Sequence, residues 1–314
     1  MASTVILGAT GFLGAHVVAA AHADALARAG DRKPGRVVAV GRQTLFAPRF
    51  TPRREAAEWV SADLAPPDQA AALLDVEAPR RVILCAALSR VGDCEQDPEL
   101  ARRLNVELPA EVAGWCANNR ARLVHVSTDL VFGDRAPRRG GFLESDPVGP
   151  VSVYGQTKAE GEEAVLSADP GAVVARLPLL YGNSGGRGLG ASDSLLEAID
   201  RGEVPRLFTD EWRTPLEVSV AAEALVELSR LDLKGRVHVA GPDRVSRHEL
   251  ALEVLDAMGL SREEAQASLQ ATLREEVETL GVRPADVSLD STHAARRLRT
   301  PLVGVREGVR RATS

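Results

Sequence analysis

The stretch Thr4-Val5-Ile6-Leu7-Gly8-Ala9-Thr10-Gly11-Phe12-Leu13-Gly14 decides the fold. A short apolar strand runs into Gly-x-x-Gly-x-x-Gly, which lets a chain bring bare backbone against a pyrophosphate. Gly8 permits the tight strand-to-helix turn, Gly11 the close approach of phosphate oxygens, and Gly14 the packing of helix on strand, with free N–H groups and the helix dipole facing the anion. Gly8, Thr10, Gly11, Phe12, Leu13 and Gly14 are therefore expected to hold a dinucleotide cofactor. A glycine-rich turn can also be only a turn, so the rest of the chain has to support the reading.

Outward from this turn, apolar runs alternate with segments of helical period, the pattern of βαβ units on a buried parallel sheet. Strands are expected at 5–8, 37–40, 81–86, 122–126, 171–177 and 236–240, with a short one at 59–61. Helices are expected at 12–29, 67–74, 98–118, 153–167, 247–258 and 262–279, and loops over the ligand edge at 135–150 and 183–191. The fold class is α/β, a doubly wound parallel Rossmann sheet. Residues 1–176 are expected to form the dinucleotide-binding domain, which also receives 215–241, and 177–314 a smaller, discontinuous substrate-binding part.

Composition narrows the function classes. The chain has 314 residues and a formal net charge of −6, with basic residues spread rather than clustered. That distribution offers no electrostatic footprint for nucleic acid or an anionic membrane, and neither is an expected partner. Three cysteines without a Cys-x-x-Cys and six histidines without ligand spacing predict a reducing, cytoplasmic setting and no metal. No apolar stretch approaches the ~20 residues of a membrane span, and the amino terminus lacks a secretory signal pattern.

The chemistry is expected from two segments. Tyr154-Gly155-Gln156-Thr157-Lys158 places a phenol and an ammonium four residues apart, on one face of a helix. An adjacent ammonium and a cationic nicotinamide would lower the phenol from about 10 toward neutrality. Val124-His125-Val126-Ser127-Thr128-Asp129-Leu130-Val131-Phe132-Gly133 delivers hydroxyls just past a central strand.

With these residues the chain resembles the extended short-chain dehydrogenase/reductase family, which carries the glycine-rich turn, a Ser/Thr after the fourth main strand and Tyr-x-x-x-Lys in this order. Counting back from Val131-Phe132-Gly133 places the catalytic hydroxyl on Thr128, with Ser127 as its neighbour. Ala86-Ala87, Asn105 and Arg176-Leu177-Pro178-Leu179-Leu180-Tyr181-Gly182 also match. Within the family the chain is most similar to the dTDP-4-dehydrorhamnose reductase group, through Ser127-Thr128-Asp129-Leu130-Val131-Phe132 and the late Arg283-Pro284-Ala285-Asp286-Val287-Ser288-Leu289-Asp290. The resemblance implies that Tyr154 gives a proton to a substrate carbonyl oxygen, Thr128 hydrogen-bonds that oxygen, and Lys158 binds the nicotinamide ribose and depresses the Tyr154 pKa. It also implies cofactor contacts from Ala86, Ala87, Asn105 and Pro178, and a homodimer as one open assembly.

Two departures bear on the substrate. Dehydratases of the superfamily carry Thr-Asp-Glu, whereas Leu130 stands in the third position here, which disfavours 4,6-dehydration. The reductase group usually has Tyr at Leu130 and an Asp pair at Ser219-Val220; Ser219 caps a helix about as well as Asp does.

The cofactor and substrate contacts complete the expectations. Arg42, directly after the second strand, favours NADP(H) through the 2′-phosphate without excluding NAD(H), or is one more solvated charge. Asp63-Leu64 resembles the adenine-contacting pair, and Asp63 could equally cap the next turn. Ser89, Asp129, Arg187, Arg213 and Arg283 are the candidate contacts to a nucleotide sugar. A structural ion pair with Asp210 or Glu211 is the competing role for Arg213. The expected activity is reduction of a nucleotide-activated 4-keto-6-deoxy sugar. Its rivals are a nucleotide-sugar epimerase and a non-catalytic regulatory subunit resembling the methionine adenosyltransferase β subunit.

Overall fold

The computed structural model describes residues 3–30, 32–42, 57–185, 187–277 and 283–313. In chain order the first half runs β1 (Thr4–Leu7), α1 (Phe12–Ala29), β2 (Val37–Gly41), β3 (Glu58–Ser61), α2 (Gln69–Glu77), β4 (Arg81–Leu84), α3 (Val91–Gln96), α4 (Pro98–Arg102), α5 (Leu108–Asn119) and β5 (Arg122–Thr128). It continues through α6 (Val153–Ala168), β6 (Val173–Leu177), β7 (Leu180–Tyr181), α7 (Ala191–Asp200), β8 (Arg206–Phe208), β9 (Trp212–Arg213), β10 (Leu216–Glu217), α8 (Val218–Leu228) and β11 (Gly235–His238). The last part comprises β12 (Val245–Ser246), α9 (Arg247–Ala257), α10 (Arg262–Ala267), β13 (Gln270–Thr272), α11 (Thr292–Arg297) and α12 (Val305–Thr313).

Seven strands form one sheet in the order β3-β2-β1-β4-β5-β6-β11. Every pairing in it is parallel. Strand alternation divides the core into two layers. Ile6, Ala39, Ile83 and Val124 face the side covered by α1 and α8. Val5, Leu7, Val38, Val82 and Leu123 face the side covered by α2 and α5. The order reverses beside β1, so β1 and β4 open a crevice at their carboxyl ends, where a ligand can enter an open α/β sheet. A third apolar cluster, built on Leu250, Val254, Leu255 and Val309, holds α9, α10 and α12 together beyond that edge.

Two expected helices are corrected. The segment 98–118 is not one helix: α4 passes through a π-turn at Arg103–Glu107 before α5 begins. The π-turn lets helices meet at backbone distance, since a Cβ on Gly161 of α6 would collide with the Asn105 carbonyl. The segment 262–279 is helical only over α10; Gln270–Thr272 is extended and pairs in parallel with Arg206–Phe208. Strand pairing with a distant segment overrode a local helical period there. Residues 278 and 279 lie outside the described residues.

The late segment 283–290 acts as a strap. Trp212 N–H donates to the Ala285 carbonyl (2.7 Å) and Val287 N–H to the Trp212 carbonyl (3.3 Å). Phe142 N–H donates to the Ser288 carbonyl and Asp290 N–H to the Phe142 carbonyl, both at 2.8 Å. It thereby ties the 135–150 loop to β9 at the rim of the crevice.

Candidate functional site

Gly8 occupies the left-handed region (φ +87°), and a Cβ there would lie 2.5 Å from the Ala86 nitrogen. The glycine-rich turn thus nests against the residues that follow β4, which brings Ala86 and Ala87, both half-buried, to the same edge. A Cβ on Gly14 would strike the Gly8 carbonyl, so α1 lies on β1 with no side chain between them. Gly11 is exposed; its N–H donates to the Gly8 carbonyl and its carbonyl accepts the Ala15 N–H, both at 3.1 Å. The cradle is open at the head of α1 and fits a pyrophosphate. Thr10 packs on Gly41 at the end of β2. Phe12 and Leu13 are half-buried; Phe12 meets His16 edge-on at 5.9 Å, and Leu13 joins the core.

The other expected cofactor contacts divide. Arg42 is exposed, its carbonyl accepts the Ser61 hydroxyl (3.2 Å), and it has no ion pair among the described residues. Asp63 is exposed and accepts the Ala65 N–H (3.1 Å), the turn-capping role left open above, while Leu64 is buried in the core. Pro178 is buried directly beyond β6. Asn105 is fully buried and engaged within the protein: its carbonyl oxygen accepts from Leu88 N–H (3.0 Å), and its amide donates to the Leu88 carbonyl (3.0 Å) and to Thr157 (3.1 Å). It braces the loop after β4 onto α6. Ser89, in that loop, is exposed.

At the end of β5, Ser127 and Thr128 point to opposite faces of the sheet. Ser127 donates to Glu162 (2.6 Å), which is paired with Arg176 (2.7 Å) in full burial. Thr128 alone faces the crevice; its oxygen accepts the Leu130 N–H (3.2 Å) and its hydroxyl lies 3.1 Å from Asp129 Oδ1. Tyr154 lies in the first turn of α6, capped by Ser152, whose oxygen accepts the Gly155 N–H (3.1 Å). Burial pushes the Tyr154 phenol above its ordinary value, against an opposing side-chain interaction with Thr128. The lowering expected above belongs to the state with a cationic nicotinamide beside the phenol. Lys158 is turned inward and donates to the Val126 carbonyl (2.7 Å), with its Nζ 3.4 Å from His125 Nε2. Burial lowers Lys158 to about 8, opposed by the charge of Glu162.

Beyond Thr128 lies a cluster of charge. Asp129 is buried and pushed up to about 6 by burial, with Arg213 opposing the shift. Arg213 Nε stands 3.9 Å from Asp129 Oδ2, and its Nη2 lies 3.9 Å from Glu211. Arg283 donates through Nη2 to Glu211 (3.1 Å) and stands over the Phe208 ring (5.2 Å). Asp129 Oδ2 is buried with no hydrogen-bond partner among the described residues. Sequence reasoning missed Arg247, the first residue of α9: burial lowers it to about 10, Glu211 opposes this, and Arg213 and Arg283 add to it. Among the described residues it has no ion pair within 4 Å. The only local signal was a cation at a helix amino terminus, the end that disfavours it. Arg187 does not join this cluster; it lies against the glycine-rich turn, donating to the Thr10 carbonyl (2.7 Å). Among the described residues no cluster of His, Cys, Asp and Glu is arranged to hold a metal, and no helix is long and apolar enough to cross a membrane.

A hydroxyl, a phenol and an ammonium gathered where β5 meets α6, opposite a glycine-rich cradle on a parallel sheet, is the arrangement of the extended short-chain dehydrogenases/reductases, and this chain is one of them. It belongs to the RmlD substrate binding domain family, whose model matches residues 2–314. It is similar to the probable low-salt glycan biosynthesis reductase Agl14 of Haloferax volcanii, 30% identical over 213 residues, 67% of this chain and 70% of that one. It is also similar to the dTDP-4-dehydrorhamnose reductase of Mycolicibacterium smegmatis, 34% identical over 183 residues, 58% of this chain and 55% of that one, so the match spans little more than half of that relative. The solved structure of the Bacillus anthracis dTDP-4-dehydrorhamnose reductase, a complex with NADP, shares the fold with a TM-score of 0.78 at 20% identity, covering 100% of this chain and 99% of that one.

Proposed function

We propose that the chain is a nicotinamide-dinucleotide-dependent reductase of a nucleotide-activated 4-keto-6-deoxy sugar. The observation that carries the reading is the adjacency of two different devices: the Thr128 and Tyr154 hydroxyls for a carbonyl, and the Arg213, Arg247 and Arg283 guanidinia for a diphosphate. Three cations against the two carboxylates Glu211 and Asp129 leave a positive balance, and planar guanidinia bind phosphate oxygens in pairs. Asp129 Oδ2, without a hydrogen-bond partner among the described residues, supplies an acceptor for a sugar hydroxyl.

Bound, the reduced nicotinamide supplies the hydride to the carbonyl carbon. Thr128 hydrogen-bonds the carbonyl oxygen, and Tyr154 O–H gives it a proton as negative charge grows there. The phenol holds its proton at neutral pH, and the Lys158 ammonium together with the positive charge that would develop on the nicotinamide favours its release. The phenolate left behind needs a cation, and Lys158 stands one helical turn away. Leu130 offers no carboxyl for dehydration, which favours simple reduction. The test is loss of absorbance at 340 nm with NADPH and a panel of nucleotide 4-keto-6-deoxy sugars. Substrate-dependent loss supports the reading; tight NADPH binding with no oxidation across the panel overturns it in favour of a binding role.

Two predictions belong here. Arg42→Ala is expected to weaken NADPH by about tenfold or more while NADH changes little, as befits loss of one charge-assisted phosphate contact; calorimetric titration of both cofactors checks this, and equal losses would make Arg42 a surface charge. Arg247→Ala is expected to raise KM for the nucleotide sugar by about ten- to a hundredfold with kcat and NADPH affinity nearly unchanged, the pattern of a lost uniform binding contact. Steady-state kinetics decide it, and an unchanged KM would remove Arg247 from the substrate site.

A further inference from the structure

Residues 183–185 and 187–190, which follow β7, lie across the mouth of the glycine-rich turn. His16 Nε2 of α1 lies 2.9 Å from the Asn183 carbonyl. Gly190 adopts φ +91°, and a Cβ there would sit 2.6 Å from the Phe12 ring. Ser184 shapes the loop from within: its oxygen accepts the N–H groups of Arg187 (3.1 Å) and Leu189 (3.2 Å), and its own N–H donates to Asp193 of α7 (2.7 Å). These contacts hold the Arg187 guanidinium in a defined place. Its Nε donates to the Ser184 carbonyl (2.9 Å) and its Nη1 to the Thr10 carbonyl (2.7 Å), while Nη2 is enclosed with no hydrogen-bond partner among the described residues.

Both acceptors of Arg187 are neutral, and no carboxylate among the described residues lies within ion-pair distance of it. An enclosed cation with one unanswered donor, moored on the turn that opens α1, where the helix dipole and the N–H groups of the first helical turn favour an anion, asks for negative charge. We infer that Arg187 is a ligand of the cofactor's pyrophosphate, contributed across the crevice by the loop after β7. This rests on the reading of residues 8–14 as a dinucleotide cradle. It separates Arg187 from the substrate arginines, with which sequence analysis had grouped it. It also makes cofactor binding pin residues 187–190, and with them the start of α7.

The test is calorimetric titration of wild type, Arg187→Ala and Arg187→Gln with NADPH, ADP-ribose and 2′-AMP; the last lacks the pyrophosphate. Gln retains an amide donor for the Thr10 carbonyl and removes the charge, which keeps the test usable should the Ala variant fail to fold. The expected result is a ten- to hundredfold loss for NADPH and ADP-ribose in both variants with 2′-AMP unchanged. Equal losses for all three ligands would mean that Arg187 only shapes the loop, and unchanged NADPH affinity with a raised KM for the sugar would return it to the substrate; either overturns the inference. Wild type that binds neither NADPH nor NADH would overturn the cradle itself, an outcome visible before any variant is made.

Discussion

Tyr154→Phe lowers turnover by about a thousandfold while NADPH affinity stays within about twofold of wild type: this is the expected result for removal of a general acid whose contribution spans 10²–10⁴. Phe preserves the ring and removes only the O–H, so packing at the first turn of α6 is retained. Single-turnover measurement of NADPH oxidation isolates the chemical step, and a rate near wild type would sink the assignment. Thr128 keeps its hydroxyl in the variant, and its hydrogen bond to the carbonyl oxygen supports the residual rate.

Lys158→Met is the second large effect, and it separates function from stability. Lys158 is 2% exposed and its folded pKa, about 8, is below the ordinary 10.5. A base whose folded value is depressed is disfavoured in its charged form, so folding carries a penalty that is complete below pH 8. That penalty fades between 8 and 10.5 and is absent above, where both states are neutral. Replacement by a neutral chain of similar length is expected to stabilise the protein by about 2 kcal/mol at pH 7, less than the shift alone gives because the bond to the Val126 carbonyl is lost. The same variant should lose at least a hundredfold in turnover. Urea denaturation at pH 7 and pH 10 checks the first claim: the gain should be present at 7 and nearly gone at 10. A variant less stable than wild type at pH 7 would show that the ammonium serves the fold. A stabilising, inactivating substitution is the mark of a charge held in place for chemistry.

The cradle was legible in the chain because it is local. Gly8, Gly11 and Gly14 act within one strand-turn-helix, where period and residue type determine geometry directly. Thr128, Tyr154 and Lys158 were legible for a related reason: each sits at a defined offset from a strand end or a helix start. Local patterns failed where a distant partner set the outcome. Gln270–Thr272 reads as helix until Arg206–Phe208 supplies a strand to pair with, and the brace that Asn105 makes with Leu88 and Thr157 has no local signal. The surroundings of Tyr154 were likewise hidden from the sequence, because desolvation, which pushes the phenol up, belongs to the folded interior, as does the bond from Lys158 to the Val126 carbonyl.

By itself the sequence determined the alternation of strand and helix, the glycine-rich turn at residues 8–14 and the placing of Thr128, Tyr154 and Lys158 around the end of β5 and the start of α6, since these depend on period, glycine and spacing over short distances. Only the tertiary structure decided which arginines act together. Arg213, Arg247 and Arg283 come from β9, the head of α9 and the strap at 283–290, while Arg187 lies against the glycine-rich turn. Charge interacts through space and not along the chain, so the grouping exists only once the crevice has closed around it.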